Sequence, residues 1–345
     1  MKRRDFLKAA GAASLGLTGC ELRDKKAKLV DIPDVSPEQA ALRRKGRSKV
    51  ALIAAKSYDE DLVSLLEEYA PKVELPDLSG KRVVIKPNMV EFKPDKPITT
   101  NPMVLTALIN FLKKQGVSEV VVAEGPGHMR DTEFLMDATG LGKAASDAGC
   151  DFVDLNLDDL VKVPNVCGFN GLKHFYMPRT IMEADAVISL PKLKMHHWVG
   201  VTCSMKNLFG TVPGRKYGWP KNLLHIKGIR DSIIDLVHIV KPVYTLVDAI
   251  VSMEGDGPIN GTALETGFLA LGTDLAAVDS TCVRITSVSP EELSYIALAG
   301  LVVGNIEESM IDIVGESVES LKKPFAQPIT IKSKELLARA AHAGS

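Results

Sequence analysis

The chain has 345 residues, 46% of them hydrophobic and 25% charged, with a formal net charge of −1. That balance describes a globular chain long enough for one large or two modest α/β domains. There is no basic excess to neutralise a phosphate backbone, so a nucleic-acid partner is not expected.

The N-terminus reads as an export address. Lys2-Arg3-Arg4-Asp5-Phe6-Leu7-Lys8 precedes a modestly apolar run, Ala9 to Leu17, and then Leu17-Thr18-Gly19-Cys20. The paired arginines resemble a twin-arginine export signal, and the last four residues resemble the lipobox of bacterial lipoproteins. The apolar run is too short to span a membrane. Residues 1–20 are therefore expected to form a signal handled by the twin-arginine export machinery. Cys20 would become the acylated anchor of a membrane-bound lipoprotein, periplasmic or at the cell surface. Export by that route implies folding before crossing, often with a cofactor already fitted. Residues 21–48 are charged and punctuated by proline, and read as a tether between lipid and domain.

From residue 49 onward strand and helix signals alternate. Val50 to Ala54, Arg82 to Ile85, Glu119 to Ala123, Phe152 to Leu155, Ala186 to Leu190, Val243 to Val247 and Phe268 to Leu271 are short β-branched or apolar runs. Thr100-Asn101-Pro102 followed by Met103 to Gln115 and Gly116 predicts a helix with a polar cap, an early proline and a terminal glycine. Asp274 to Ile285 has helical spacing, with Asp274 as its cap. The expectation is an α/β fold over 49–330, a mostly parallel sheet covered by helices, either continuous or split into two lobes with a cleft between them and a boundary near residue 165. The tail 331–345 is Ala-rich and reads as a short helix or a frayed end. Cys150, Cys167, Cys203 and Cys282 are far apart and write no local metal framework.

The chemistry concentrates between Leu190 and Gly214, where Lys192, Lys194, His196, His197, Lys206 and Asn207 stand among small residues. This segment follows the Ala186–Leu190 run, so its basic residues are expected where a strand opens into a loop, the place where α/β sheets hold ligands. His196 can carry a proton, with nearby lysines favouring its neutral form. If the strand continued, His197 would face another way. Lys206, flanked by apolar residues, must find an anion or lose its proton, and Asp248 or Glu254 could serve as an internal partner. Lys86, held at a strand end by Pro87, and Lys194 are anion contacts; Asn88 and Asn207 stand beside them as ligand-binding residues. Glu124, at a strand end before Gly125-Pro126-Gly127, and Asp248, before a glycine-rich loop, could each bind a metal or orient a histidine. Asp279, among apolar neighbours, would need a partner.

Several motifs occur in one order: Val84-Ile85-Lys86-Pro87-Asn88, Thr100-Asn101-Pro102, Leu190-Pro191-Lys192-Leu193-Lys194 with His196, Met205-Lys206-Asn207-Leu208-Phe209-Gly210, Val247-Asp248, Glu254-Gly255-Asp256-Gly257-Pro258, and Asp274 to Asp279. Over roughly 49–290 this pattern resembles the bacterial and archaeal domain of unknown function 362. That family implies no settled reaction. A fainter resemblance is to nickel-pincer lactate racemases, in which a histidine is an acid/base and a lysine tethers the cofactor. His196, Gly200 and Lys206 stand at offsets of four and ten, as in that pattern. The Glu124–Arg130 segment looks like its Ala-Thr-Gly-x-His-Arg stretch, which implies a catalytic role for His128. His225 would stand for the histidine that completes the nickel coordination. The diglycine before the lysine is replaced here by Cys203-Ser204-Met205, and the family's Asp-Asp-x-Thr-Arg-Pro by Lys86-Pro87-Asn88.

Three classes of function follow. The chain is an exported enzyme acting by acid/base or metal-assisted chemistry on a small anionic molecule, a membrane-tethered binding protein for an anion or metal, or an assembly partner of a redox complex. The cofactor is open: a transition metal or a lysine-tethered nickel-pincer nucleotide.

Overall fold

The structure is a computed structural model that describes residues 30–127, 131–219 and 221–331. Cys20 and the rest of the expected export signal, His128, and all of the tail but Ile331 lie outside the described residues. In chain order the strands are β1 (Ser48–Ala54), β2 (Arg82–Pro87), β3 (Glu119–Glu124), β4 (Asp151–Asp154), β5 (Leu160–Pro164), β6 (His174–Pro178), β7 (Ala186–Leu190), β8 (Lys192–His196), β9 (Gly200–Thr202), β10 (Tyr244–Glu254), β11 (Thr262–Gly272) and β12 (Ile311–Gly315). Ten of them form one mixed sheet whose main path is β12-β1-β11-β10-β7-β2-β3-β4, with β8 joined to β10 and β9 to β8. Pairing is parallel from β10 through β7, β2 and β3 to β4, and antiparallel where β11 meets β1 and β10. The fold is α/β with a mostly parallel sheet, and all seven strand runs read from the sequence are present.

Alternation of side chains sends consecutive strand residues to opposite faces, and both faces here are apolar, as a helix-covered sheet requires. Val50, Leu52, Val84, Val121, Val187 and Val247 join one core with helices Ile229–Val240, Leu275–Ile285 and Ser294–Val302. Ala51, Ile53, Val83, Ile85, Val122 and Ile188 join the other, with helices Leu62–Tyr69, Pro102–Lys114 and Leu141–Asp147. Helix Pro102–Lys114 starts as the sequence predicts, with the Asn101 side chain accepting from the Met103 N–H. Asp274 caps helix Leu275–Ile285, accepting from the N–H groups of Ala276 and Ala277.

Residue 165 falls in the connection of the antiparallel hairpin β5–β6. Strands from both sides of it interleave in the main sheet, β2 pairing with both β3 and β7. Over residues 32–48 the expected tether is bound to the body. Ile32 and Val35 pack on the core, Gln39 donates to the Cys167 carbonyl at 2.6 Å, and Arg47 pairs with Asp312 at 2.6 Å. The apolar pair and these long-range bonds overcome the local lack of periodicity. The four cysteines from 150 onward are buried free thiols.

Candidate functional site

After β2 the chain builds outward to β3 and β4, then returns to lay β7 on the other side of β2. The order therefore reverses between β2 and β7, and the carboxyl ends of strands diverge there into a crevice. A cavity of about 220 Å³ occupies that place. Its walls include Lys86, Asn88, Glu124, Lys194, His196, Thr202, Lys206, Asn207, Lys221 and His225. Of the expected site residues inside the described chain, Lys192 and Asp248 are not on these walls.

Lys86 near the end of β2 and Glu124 at the end of β3 are 0% and 1% exposed and meet at 2.5 Å. The Lys86 ammonium also donates to the Pro87 carbonyl at 2.7 Å and to Asn207 Oδ1 at 2.9 Å, which uses all three of its hydrogens. Glu124 Oε2 accepts in addition from the Met89 N–H at 2.8 Å, and Oε1 from the Gly125 N–H at 2.9 Å. Burial pulls the Lys86 pKa down, and the Glu124 charge opposes that fall. Both Glu124 oxygens are engaged, so this carboxylate clamps β2 to β3 rather than waiting for a metal. Gly210 is required beside it, because a side chain there would run into Glu124 Oε1 and Lys86 Nζ.

The basic segment after Leu190 is not a loop, as its charges suggested, but the strand β8. Leu193 and Met195 enter the core at 0% exposure, and the period of two puts Lys192, Lys194 and His196 together on the other face. Lys192 is neutralised by Asp248 at 2.7 Å. Asp248 further accepts from Tyr58 Oη at 3.1 Å and the Asn101 N–H at 2.8 Å. Asp248 is thus a buried counter-ion outside the cavity, and the expected metal set of His225, Glu124 and Asp248 is not assembled. Among the described residues no three His, Cys, Asp or Glu side chains converge on a metal position.

Lys194 is 0% exposed and donates to the Ile98 carbonyl at 2.7 Å, a neutral acceptor. Burial, then the charges of Lys206, Lys192 and Lys86, hold its pKa well below the usual lysine value. Lys206 stands on the short helix Ser204–Asn207 with Nζ 4.3 Å from the centre of the Phe209 ring. It has no hydrogen-bond or ion-pair partner among the described residues, so neither Asp248 nor Glu254 supplies the expected internal salt bridge. Burial and the nearby Lys86 charge push it down to about 8. Asp279, buried in helix Leu275–Ile285, fixes the start of the Lys206 helix by accepting from the Ser204 N–H at 2.8 Å and the Met205 N–H at 3.1 Å. Burial raises its pKa to about 6.

His196 closes β8 and is 5% exposed. The Trp198 N–H donates to its Nδ1 at 3.1 Å. Burial, then Lys206 and His197, hold its pKa well below the normal value, so the ring is neutral. With Nδ1 accepting, the proton of the neutral ring is assigned to Nε2. His196, a lining residue of the cavity, therefore has Nε2–H as its donor. The strand stops at His196, so His197 does not alternate away: the two rings stack at 5.0 Å. His225 is half-buried, with Nδ1 3.0 Å from the Lys221 carbonyl, and burial lowers its pKa.

Asn207 is locked by four bonds: Oδ1 accepts from Lys86 and from Asn88 Nδ2, while Nδ2 donates to the Lys86 carbonyl and to Ser189 Oγ. That lock orients Asn88 and leaves its Oδ1 buried without a donor; Thr202 Oγ1 is likewise buried without a partner. Two orphaned polar atoms on cavity-lining residues are positions for a ligand's polar groups.

Sequence reasoning missed Lys221, Trp198, Phe209 and Asn156. Lys221 is 2% exposed, has left-handed backbone at φ 70°, and donates to Asn156 Oδ1 at 2.6 Å. Burial lowers it to about 7. Its neighbours Trp219 and Asn222 carry no pattern that singles it out. Only the fold brings it beside Lys86.

These features define an α/β protein with a basic cavity at the topological switch of its sheet. The chain belongs to the domain of unknown function 362 family, whose model matches residues 83–284. It is 28% identical over 234 residues to a thylakoid-associated protein of Synechocystis sp., covering 63% of this chain and 67% of that one. Among solved structures it is similar to the lactate racemase apoprotein of Thermoanaerobacterium thermosaccharolyticum, at 15% identity and a TM-score of 0.44, covering 73% of this chain and 59% of that one. A Thermotoga maritima protein matches at 16% identity and a TM-score of 0.41, covering 68% and 61%. The chain spans about six tenths of the length of each of these two structures.

Proposed function

We propose that this is an exported, lipid-anchored enzyme that binds a small anionic molecule in the β2–β7 crevice and moves a proton on it. The observation that carries the reading is the pair Lys194 and Lys206, two cavity-lining lysines with no carboxylate partner among the described residues. A desolvated cation in such a place is stabilised by a bound anion. Lys206, brought down to about 8, can pass a proton to and from the ligand that Lys194 helps to hold, and His196 Nε2–H donates to the ligand oxygen on which charge develops. Lys86 and Glu124 position Asn207 and do not react. The paired arginines and the Leu17–Cys20 lipobox support export and anchoring.

Isothermal titration of the chain lacking residues 1–20 with acetate and inorganic phosphate tests the site. Binding that weakens at least tenfold in Lys194→Met and Lys206→Met is expected; no binding of either anion refutes it. For the anchor, Cys20→Ser should move the full chain from the membrane to the soluble fraction. A membrane-tethered binder without turnover uses the same residues, and loss of affinity without any proton exchange on a bound anion would favour it.

The lysine-tethered nickel-pincer nucleotide is a second reading, favoured by the unpartnered Lys206 amine. Lys206 would hold the nucleotide, and His225, with Nδ1 committed to the Lys221 carbonyl, keeps Nε2 for the metal. The bound group would supply a nickel centre. Metal content and visible absorption of the chain made in its native host, lost in Lys206→Ala, are the expected result; a colourless, metal-free protein refutes it.

A further inference from the structure

The cavity has two unlike parts. Lys86, Lys194 and Lys221, each no more than 2% exposed, form a basic floor with Lys206. Another part of the lining is a run of rings. Trp198, 56% exposed, stands edge-on to His197 at 4.7 Å and to His225 at 5.2 Å. His225 in turn meets Phe209 edge-on at 5.4 Å, and Phe209 lies under Lys206. Met89, Pro258 and Ile259 complete the apolar lining. The rings therefore make a continuous path from open water at Trp198 to the unpartnered ammonium of Lys206.

An indole left more than half in water on the rim of a pocket forgoes burial that a ligand could supply. A small inorganic anion would satisfy the floor and leave that wall wet. A neutral aromatic molecule would cover the wall and leave buried lysines unpaired. We infer that the ligand is a two-part molecule, with a carboxylate or phosphate head among the lysines and a flat apolar body laid against the exposed Trp198 indole. Trp198 is then the specificity-determining residue. This inference rests on the anion reading proposed above and adds the body that the anion carries.

The test is a matched series: acetate against benzoate, inorganic phosphate against phenyl phosphate, and benzyl alcohol as the neutral control. Each is titrated by calorimetry into the chain lacking residues 1–20. The aryl-bearing anion is expected to bind roughly tenfold or more tightly than its ring-free counterpart, with benzyl alcohol weaker than either. Trp198→Ala should erase that difference while keeping the affinity for acetate or phosphate. The chain has two tryptophans, so in a Trp219→Phe background quenching of the remaining fluorescence by benzoate reports contact with Trp198. Equal affinities within each pair, or an aryl preference that survives Trp198→Ala, overturns the inference and leaves the anion site standing. Absence of binding by every anion overturns both. The wild-type series decides the matter even if a variant fails to fold.

Discussion

Replacing Lys206 with methionine should make the protein more stable while emptying its site. A fall in the ammonium pKa from 10.5 to about 8 is worth about 3 kcal/mol, at about 1.4 kcal/mol per decade. The side chain is partly reached through the cavity, and that contact with water reduces the figure to about 2 kcal/mol. The sign follows from proton linkage. Between the folded and unfolded values the unfolded chain binds more protons, so stability rises with pH through that window. Below the folded value both states are charged and the full burial cost is present. Above 10.5 both are neutral and the cost is gone. Lys206→Met removes the ammonium and keeps most of the volume, so it should gain about 2 kcal/mol over wild type near pH 6.5, shrinking toward zero as pH rises from about 8 to about 10.5. Urea unfolding of both chains at matched pH measures the difference, and titratable groups common to both cancel. A bound anion should close the gap by stabilising wild type alone. A variant less stable than wild type at every pH would show that Lys206 has a structural partner, and the reasoning for an anion site would fail.

Glu124→Gln keeps the shape of the clamp but cannot accept from Gly125 on one side and from Met89 and Lys86 on the other. A loss of about 3–5 kcal/mol in urea unfolding is expected, and a change under about 1 kcal/mol would contradict the structural role. Asp279 is raised from 3.8 to about 6, so between those values the folded state holds the extra proton and stability falls as pH rises. Asp279→Asn should abolish that slope, and an unchanged profile between about pH 4 and 6 would refute the assignment. At His196 the donor reading predicts that Gln retains anion affinity and Phe weakens it by about tenfold, the size of one hydrogen bond to a charged group; equal loss in both would refute it.

Much of this protein is legible in its sequence. Apolar, β-branched runs mark seven strands because both sheet faces are buried. Asn101, Pro102 and Asp274 mark helix starts because their side chains or rings suit the unpaired first-turn N–H groups. The site is legible as composition: Lys86, Asn88, Glu124, Lys194, His196, Lys206, Asn207 and His225 all reach the cavity. What each one does there is not local information. Lys192 and Lys194 alternate identically along β8, yet Lys192 is cancelled by Asp248 from β10 and Lys194 is not, because counter-ions come from strands paired across the sheet. The proton position on His196 depends on where the Trp198 N–H falls when the strand ends. Lys221 is drawn in from a segment with no signal of its own. Residue type and periodicity determined the class of fold and the inventory of charges. Tertiary packing alone decided which charges are neutralised, because that depends on neighbours far away in the chain.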